Sequence, residues 1–161
     1  MLKRLFELQH DLQVNHFNVN FQRMLPADRV RYIKDMALAL TAEVHEALDE
    51  TGWKPWATKK GILDRDAYIG ELVDVMHFLV NLFLATGDDP VELADEVFTR
   101  YTLKNRVNRG RQATGYDGVS TKCAICGRAL DDPAVACSRN GDQGYCARQG
   151  ADVNYINFPS A

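Results

Sequence analysis

The chain has 161 residues, 46% of them apolar and 25% charged, with a formal net charge of −3. That length suits one compact domain with at most a small appendage, the apolar fraction excludes a largely disordered chain, and so mild a charge argues against a dedicated nucleic-acid or membrane-surface binder. The longest strongly apolar run, Val75 to Ala85, is broken by His77 and Asn81 and is too short to span a bilayer, and the N-terminal MLKRLFELQHDLQ lacks the apolar core of a signal peptide, so the chain reads as cytoplasmic.

The first helix is predicted from Leu2 to about Phe21, on apolar residues at Leu2, Leu5, Phe6, Leu12 and Phe17. Pro26 interrupts the chain. Asp28 can cap a long second helix reaching Thr51, where Gly52 stops it. Trp53 to Asp64 reads as a loop with Pro55 and the basic pair Lys59-Lys60. Asp66 can cap a third helix, Ala67 to Thr86, ended by Gly87. Asp89-Pro90-Val91-Glu92 is a helix start, with a capping Asp and Pro at the first helical position, and the fourth helix runs to about Asn108. No period-2 strand is evident in this body, so an all-α bundle of four or five helices is expected over residues 1–116. The composition then changes. Seven of the 11 glycines and all 4 cysteines fall between Gly110 and Gly150, so residues 117–161 read as a separate Cys-rich tail.

The acids of the body are unusual in where they fall. Glu43, Glu46 and Glu50 lie within an arc of about 60° at 100° per residue, on the same side as Met36, Ala39, Leu40 and Ala47. The third helix is apolar nearly all round and should be buried; its only acids, Glu71 and Asp74, are three residues apart and project together. Burying one unpaired carboxylate costs several kcal/mol even after relaxation, roughly, and clustering four adds repulsion. A solvated face would account for Glu43, Glu46 and Glu50 alone, but the third helix offers no Lys or Arg to pair with Glu71 and Asp74. A divalent ion is the other compensation, and oxygen-only ligands favour Mg²⁺ or Mn²⁺. A di-iron bundle would need Glu-x-x-His pairs on two helices; Asp74-x-x-His77 is the nearest approach and occurs once.

Glu43-Val-His-Glu46 followed by Glu71-Leu-Val-Asp74 resembles the ExxE…ExxD signature of the all-α nucleoside triphosphate pyrophosphatases, which include the dimeric dUTPases and the MazG-like enzymes. Lys104-Asn105-x-x-Asn108-x-x-Arg111-Gln112-x-x-Gly115-Tyr116 is similar to the KNxxNxxRQxxGY segment of dimeric dUTPases, and Trp53-Lys54-Pro55-Trp56 is similar to a segment of the same group. The resemblance implies hydrolysis of a nucleoside triphosphate to the monophosphate and pyrophosphate, with Glu43, Glu46, Glu71 and Asp74 as Mg²⁺ ligands. It implies that Lys104, Asn108 and Arg111 lie near phosphate or sugar; Asn105 and Tyr116 belong to the same motif, in substrate-binding or structural roles. Chemically, a triphosphate and a carboxylate cluster can only be joined by metal, which also acidifies a bound water. Glu43 or Glu46 is then the candidate catalytic base, Glu43 the favoured one. Gln9, Gln13 and Asn15 are placed to bond a base edge, Trp53 or Trp56 to stack on it, Lys54 to meet substrate, and His77 to line the pocket. The resemblance favours dUTP, with another deoxynucleotide such as dCTP or dGTP as the alternative. A homodimer or homotetramer is expected, both from the resemblance and because such apolar helices exceed what one bundle can cover.

Cys123-Ala-Ile-Cys126-Gly127 resembles a zinc knuckle, and Cys137 and Cys146 would complete a structural Cys₄ Zn²⁺ site, although that second pair is not a CxxC. A tail with few large apolar residues would depend on such a staple. From Asp117 to Ala161 there are 4 Lys/Arg and 5 Asp/Glu, which gives no support for nucleic-acid binding. The rival of a different class is a non-enzymatic helical adaptor with a zinc-binding interaction tail. The Glu71/Asp74 pair speaks against it.

Overall fold

A computed structural model describes residues 1–115, 145–146 and 151–152. Its element order is α1 (Leu2–Asp11), a single π-helical turn (Leu12–His16), α2 (Pro26–Asp49), α3 (Arg65–Leu84), α4 (Pro90–Thr114) and a two-residue antiparallel pair, β1 (Tyr145–Cys146) with β2 (Ala151–Asp152). The architecture is helical, as expected. The chain divides into two units, Met1–Glu96 and Val97–Ala161, with the division inside α4.

The helix ends differ from expectation for local reasons. The first helix does not continue to Phe21. The chain passes through the π turn, the Val19 amide bonds the Gln13 carbonyl at 3.0 Å, and Asn18 takes a left-handed φ of 56°, which Asn tolerates better than most residues. Pro26 starts α2 instead of merely preceding it, since its missing N–H costs nothing at the first position; Asp28 sits inside the first turn. Asp64, two residues before the expected Asp66, caps α3 by accepting from the amides of Asp66 and Ala67, at 2.9 and 3.0 Å. Asp89 caps α4 as predicted, accepting from the Val91 and Glu92 amides at 2.8 and 3.1 Å. Each such cap stabilises by about 1 kcal/mol.

In the first unit α3 is central, packing mainly on α2 and also on α1. Phe6, Phe21, Ala47, Val80, Leu84, Ala85, Leu93 and Ala94 form the buried core. Arg29 ties the unit together: its guanidinium donates to the Ala85 carbonyl at the end of α3 and to the Phe21 carbonyl at 2.7 Å. A cation at a helix C-terminus also meets the negative end of the dipole. Gly87 lies against this contact with φ of 91°, and a Cβ there would stand 3.1 Å from the Phe21 carbonyl oxygen and 3.2 Å from Arg29 Nη1. The left-handed backbone therefore favours glycine here, and the space beside it is tight.

The expectation that α3 is buried all round is corrected. Ile69, Leu72, Val73, Met76 and Leu79 are exposed in the single chain, and Asp74 is exposed with them. Among the described residues α3 packs mainly on α2 and also on α1, which leaves this side uncovered. The expectation that no stretch is long enough to span a bilayer is corrected: by length and composition alone α3, at 20 residues, could cross one. Glu71 and Asp74 near its middle make a lipid-facing placement costly.

Candidate active site

The junction between α2 and α3 sets the height of their side chains. The Leu63 amide donates to the Glu50 carbonyl at 2.9 Å, the Gly52 amide to the Gly61 carbonyl at 3.0 Å, and Thr51 bridges to Ile62. The two helices leave this point together, so residues at like distances from it meet. A Cβ on Gly52 would fall 1.8 Å from the Lys59 carbonyl oxygen, so the loop closes only over glycine. The result is that carboxylate oxygens of Glu43, Glu46 and Glu71 lie within 4.8 Å of one another. Glu43 and Glu71 are half-buried and Glu46 is exposed. Asp74 is close enough for its charge to act on Glu43. Glu50 does not join the group of three.

Partial desolvation holds the Glu43 carboxyl above the ordinary carboxylate range. The charges of Glu46, Asp74 and Glu71 add to this, as does a hydrogen bond with Glu71. None of the ion pairs among the described residues involves any of these four acids. Converging oxygen ligands with no cation paired to them among the described residues suit a hard divalent ion, so the donor set fits Mg²⁺ or Mn²⁺.

The loop above the junction carries Trp53 and Trp56, both exposed. Trp53 Nε1 donates to Asp49 Oδ1 at 3.4 Å, and Lys54 Nζ lies 5.8 Å from the Trp53 ring centroid and 3.9 Å from Asp49. Lys60 Nζ donates to the Lys54 carbonyl at 2.5 Å, holding the turn.

On another face of α3, His77 Nδ1 meets Gln9 Oε1 at 2.5 Å and Gln9 Nε2 donates to Asn81 Oδ1 at 2.8 Å. Gln9 and His77 also line an open cavity of about 510 Å³ with Leu5, Leu8, Val73 and Val80 among its walls. So the structure unites two residues that the sequence nominated separately. Gln13 is turned inward, accepting from Tyr32 Oη at 3.1 Å, and burial pushes the Tyr32 hydroxyl pKa upward. Asn15 donates to Asp11 at 2.6 Å. Asn81 and Met36 were missed as partners in this site. The available signal was Asn81 itself, an amide in an otherwise apolar stretch, which needs a partner if buried.

Lys104, Asn108 and Arg111 lie on α4 in the second unit, within an arc of about 60°. Tyr116 falls outside the described residues. So do Cys123, Cys126 and Cys137 and the side chain of Cys146, on which the Cys₄ expectation rests.

A family model described as dUTPase matches residues 1–94. The chain is 28% identical over 144 residues to the dCTP pyrophosphatase of Enterobacteria phage T4, covering 71% of this chain and 82% of that protein. It is 35% identical over 75 residues to the dCTP pyrophosphatase of Enterobacteria phage LZ5, covering 40% of this chain and 41% of that one. No solved structure matches. The family match contains all four carboxylates and the cavity; the segment from Lys104 to Tyr116 lies beyond it.

Proposed function

The chain belongs to the dUTPase family of all-α nucleoside triphosphate pyrophosphatases, and on that premise we propose that it hydrolyses a deoxypyrimidine nucleoside triphosphate to the monophosphate and pyrophosphate. The observation that carries this reading is the convergence of Glu43, Glu46 and Glu71, with no ion pair to any of them among the described residues. The family supports dUTP as substrate, and the phage relatives support dCTP.

In this reading Glu43, Glu46, Glu71 and Asp74 hold Mg²⁺ or Mn²⁺, which when bound offsets the charge of carboxylates and triphosphate and acidifies water. Glu43 is the catalytic base. From its place in the acid cluster it accepts a proton from the attacking water as the water oxygen bonds the α-phosphorus and the bond to the bridging oxygen of pyrophosphate breaks. Lys54, Lys104, Asn108 and Arg111 orient the phosphates, with Tyr116 in the same motif. Gln9 and His77 bound the base site, and Trp53 stacks on the base. The exposed stripe of Ile69, Leu72, Met76 and Leu79 supports association into a homodimer or homotetramer. The tail is assigned a structural Zn²⁺ on its four cysteines, and the protein a cytoplasmic location.

The test is pyrophosphate release from each (d)NTP in the presence of Mg²⁺. Release from dUTP or dCTP well above that from the ribonucleotides is expected. Release from none of them would leave the adaptor reading in its place.

A further inference from the structure

We propose that Asp49 is a positioning residue that holds the Trp53 ring and the Lys54 ammonium together, so that a nucleoside triphosphate meets both already oriented; this rests on the reading of Trp53 and Lys54 as substrate-binding residues. One carboxylate oxygen joins the two. Asp49 Oδ1 accepts from Trp53 Nε1 at 3.4 Å and lies 3.9 Å from Lys54 Nζ. The same ammonium stands 5.8 Å from the Trp53 ring centroid, within reach of the π system. Asp49 is the last residue of α2, three positions after Glu46 and so about 4.5 Å further along the axis. The helix that supplies two of the clustered acids thus also carries the anchor for these two side chains of the loop.

The fold does not need this carboxylate. The loop is closed by backbone bonds from Gly52 to Gly61 and from Leu63 to Glu50. Inside it the Ala57 amide donates to the Lys54 carbonyl at 2.9 Å, and Lys60 Nζ donates to the Lys54 and Pro55 carbonyls. None of these bonds uses the Asp49 side chain. Its own contacts are open to water: the Asp49 side chain is 67% exposed and that of Lys54 49%. So exposed an ion pair contributes little stability. Helix physics also disfavours the residue, since an acid at a C-terminus faces the negative end of the dipole and the last turn of α2 has no basic residue to offset it. A carboxylate that secures neither helix nor loop, yet meets both the indole N–H and the ammonium, is placed for what those two groups do. Without it each long side chain samples several rotamers, and the substrate must order them on binding at a cost in affinity.

Two readouts on the full chain test this. In turnover with Mg²⁺, Asp49→Ala should raise KM for whichever of dUTP and dCTP the wild type hydrolyses by about fivefold, the weight of one modest hydrogen bond, with kcat changed less than about twofold. In a chain already carrying Trp53→Phe and Lys54→Met, Asp49→Ala should add less than about twofold, because its partners are gone. The second readout needs no substrate. Trp53 and Trp56 are the only tryptophans, so acrylamide quenching in a Trp56→Phe background reports Trp53 alone. There Asp49→Ala should raise the quenching constant at an unchanged melting temperature, and Asp49→Asn, which keeps an acceptor oxygen, should leave it near its starting value. A fall in kcat with KM unchanged would overturn the proposal and give Asp49 to the metal site. Unchanged KM and quenching, or an equal loss in the chain lacking both partners, would overturn it too. A wild type that turned over no nucleotide would defeat the enzymatic reading and the positioning role with it, whereas normal turnover with an unaffected Asp49→Ala would defeat the role of Asp49 alone.

Discussion

Two polar clusters share α3 and are built on opposite terms. At Glu43, Glu46 and Glu71 like charges are gathered within 4.8 Å with no cation among the described residues. At His77, Gln9 and Asn81 the side chains are joined in one chain of hydrogen bonds, and two of the three are nearly sealed from water. The first cluster is incomplete and repels itself. The second pairs its polar groups with one another. Burial without pairing marks a place where something external is bound, and burial with pairing marks a place whose geometry is fixed beforehand.

Substitution separates the two most sharply in activity. Glu71→Gln should abolish pyrophosphate release, by about a thousandfold or more, because it removes a metal-binding charge while preserving shape. Its far-UV circular dichroism should match the wild type, and its metal-free melting temperature should be equal or higher, since repulsion is relieved. Wild-type turnover would dissolve the distinction from the acid side.

The opposite response is expected in the relay. Gln9→Leu leaves Asn81 Oδ1 and His77 Nδ1 unmatched, and should lower stability by about 1–3 kcal/mol in a urea or thermal melt. A neutral outcome would mean that the chain of amides is less sealed than its exposures imply.

The smallest effect is in pH. The folded-state pKa of Glu43 lies above its ordinary value of 4.5. Its contribution is most favourable below that value, where both states are protonated, and is lost as pH rises through the folded pKa. The melting temperature of metal-free wild type minus that of Glu43→Gln should therefore fall over this window, and saturating Mg²⁺ should remove the fall. A difference that rose with pH would mean the cluster already holds a compensating cation.

Much of the acid site was legible because it is local. Glu43 with Glu46, and Glu71 with Asp74, are i,i+3 pairs, and helical periodicity alone places each pair on one face. The caps at Asp89 and the stops near Gly52 and Gly87 were legible for the same reason. What was hidden depends on distance along the chain. Gln9 and Asn81 are 72 positions apart, and nothing in the spacing of either foretold their bond. Helical periodicity likewise cannot say how many neighbours a helix finds. An apolar α3 was read as buried, and among the described residues it packs mainly on α2 and also on α1, with one side exposed.

The claim on which the rest depends is that the carboxylate cluster is a divalent-cation site. Calorimetric titration of Mg²⁺ into the metal-free full chain, beside the same titration of Glu71→Gln, tests it without reference to substrate. The account predicts saturable binding in the wild type that is lost in the variant at unchanged helicity. Equal binding by both, or none by the wild type even with a bound triphosphate analogue, would contradict it.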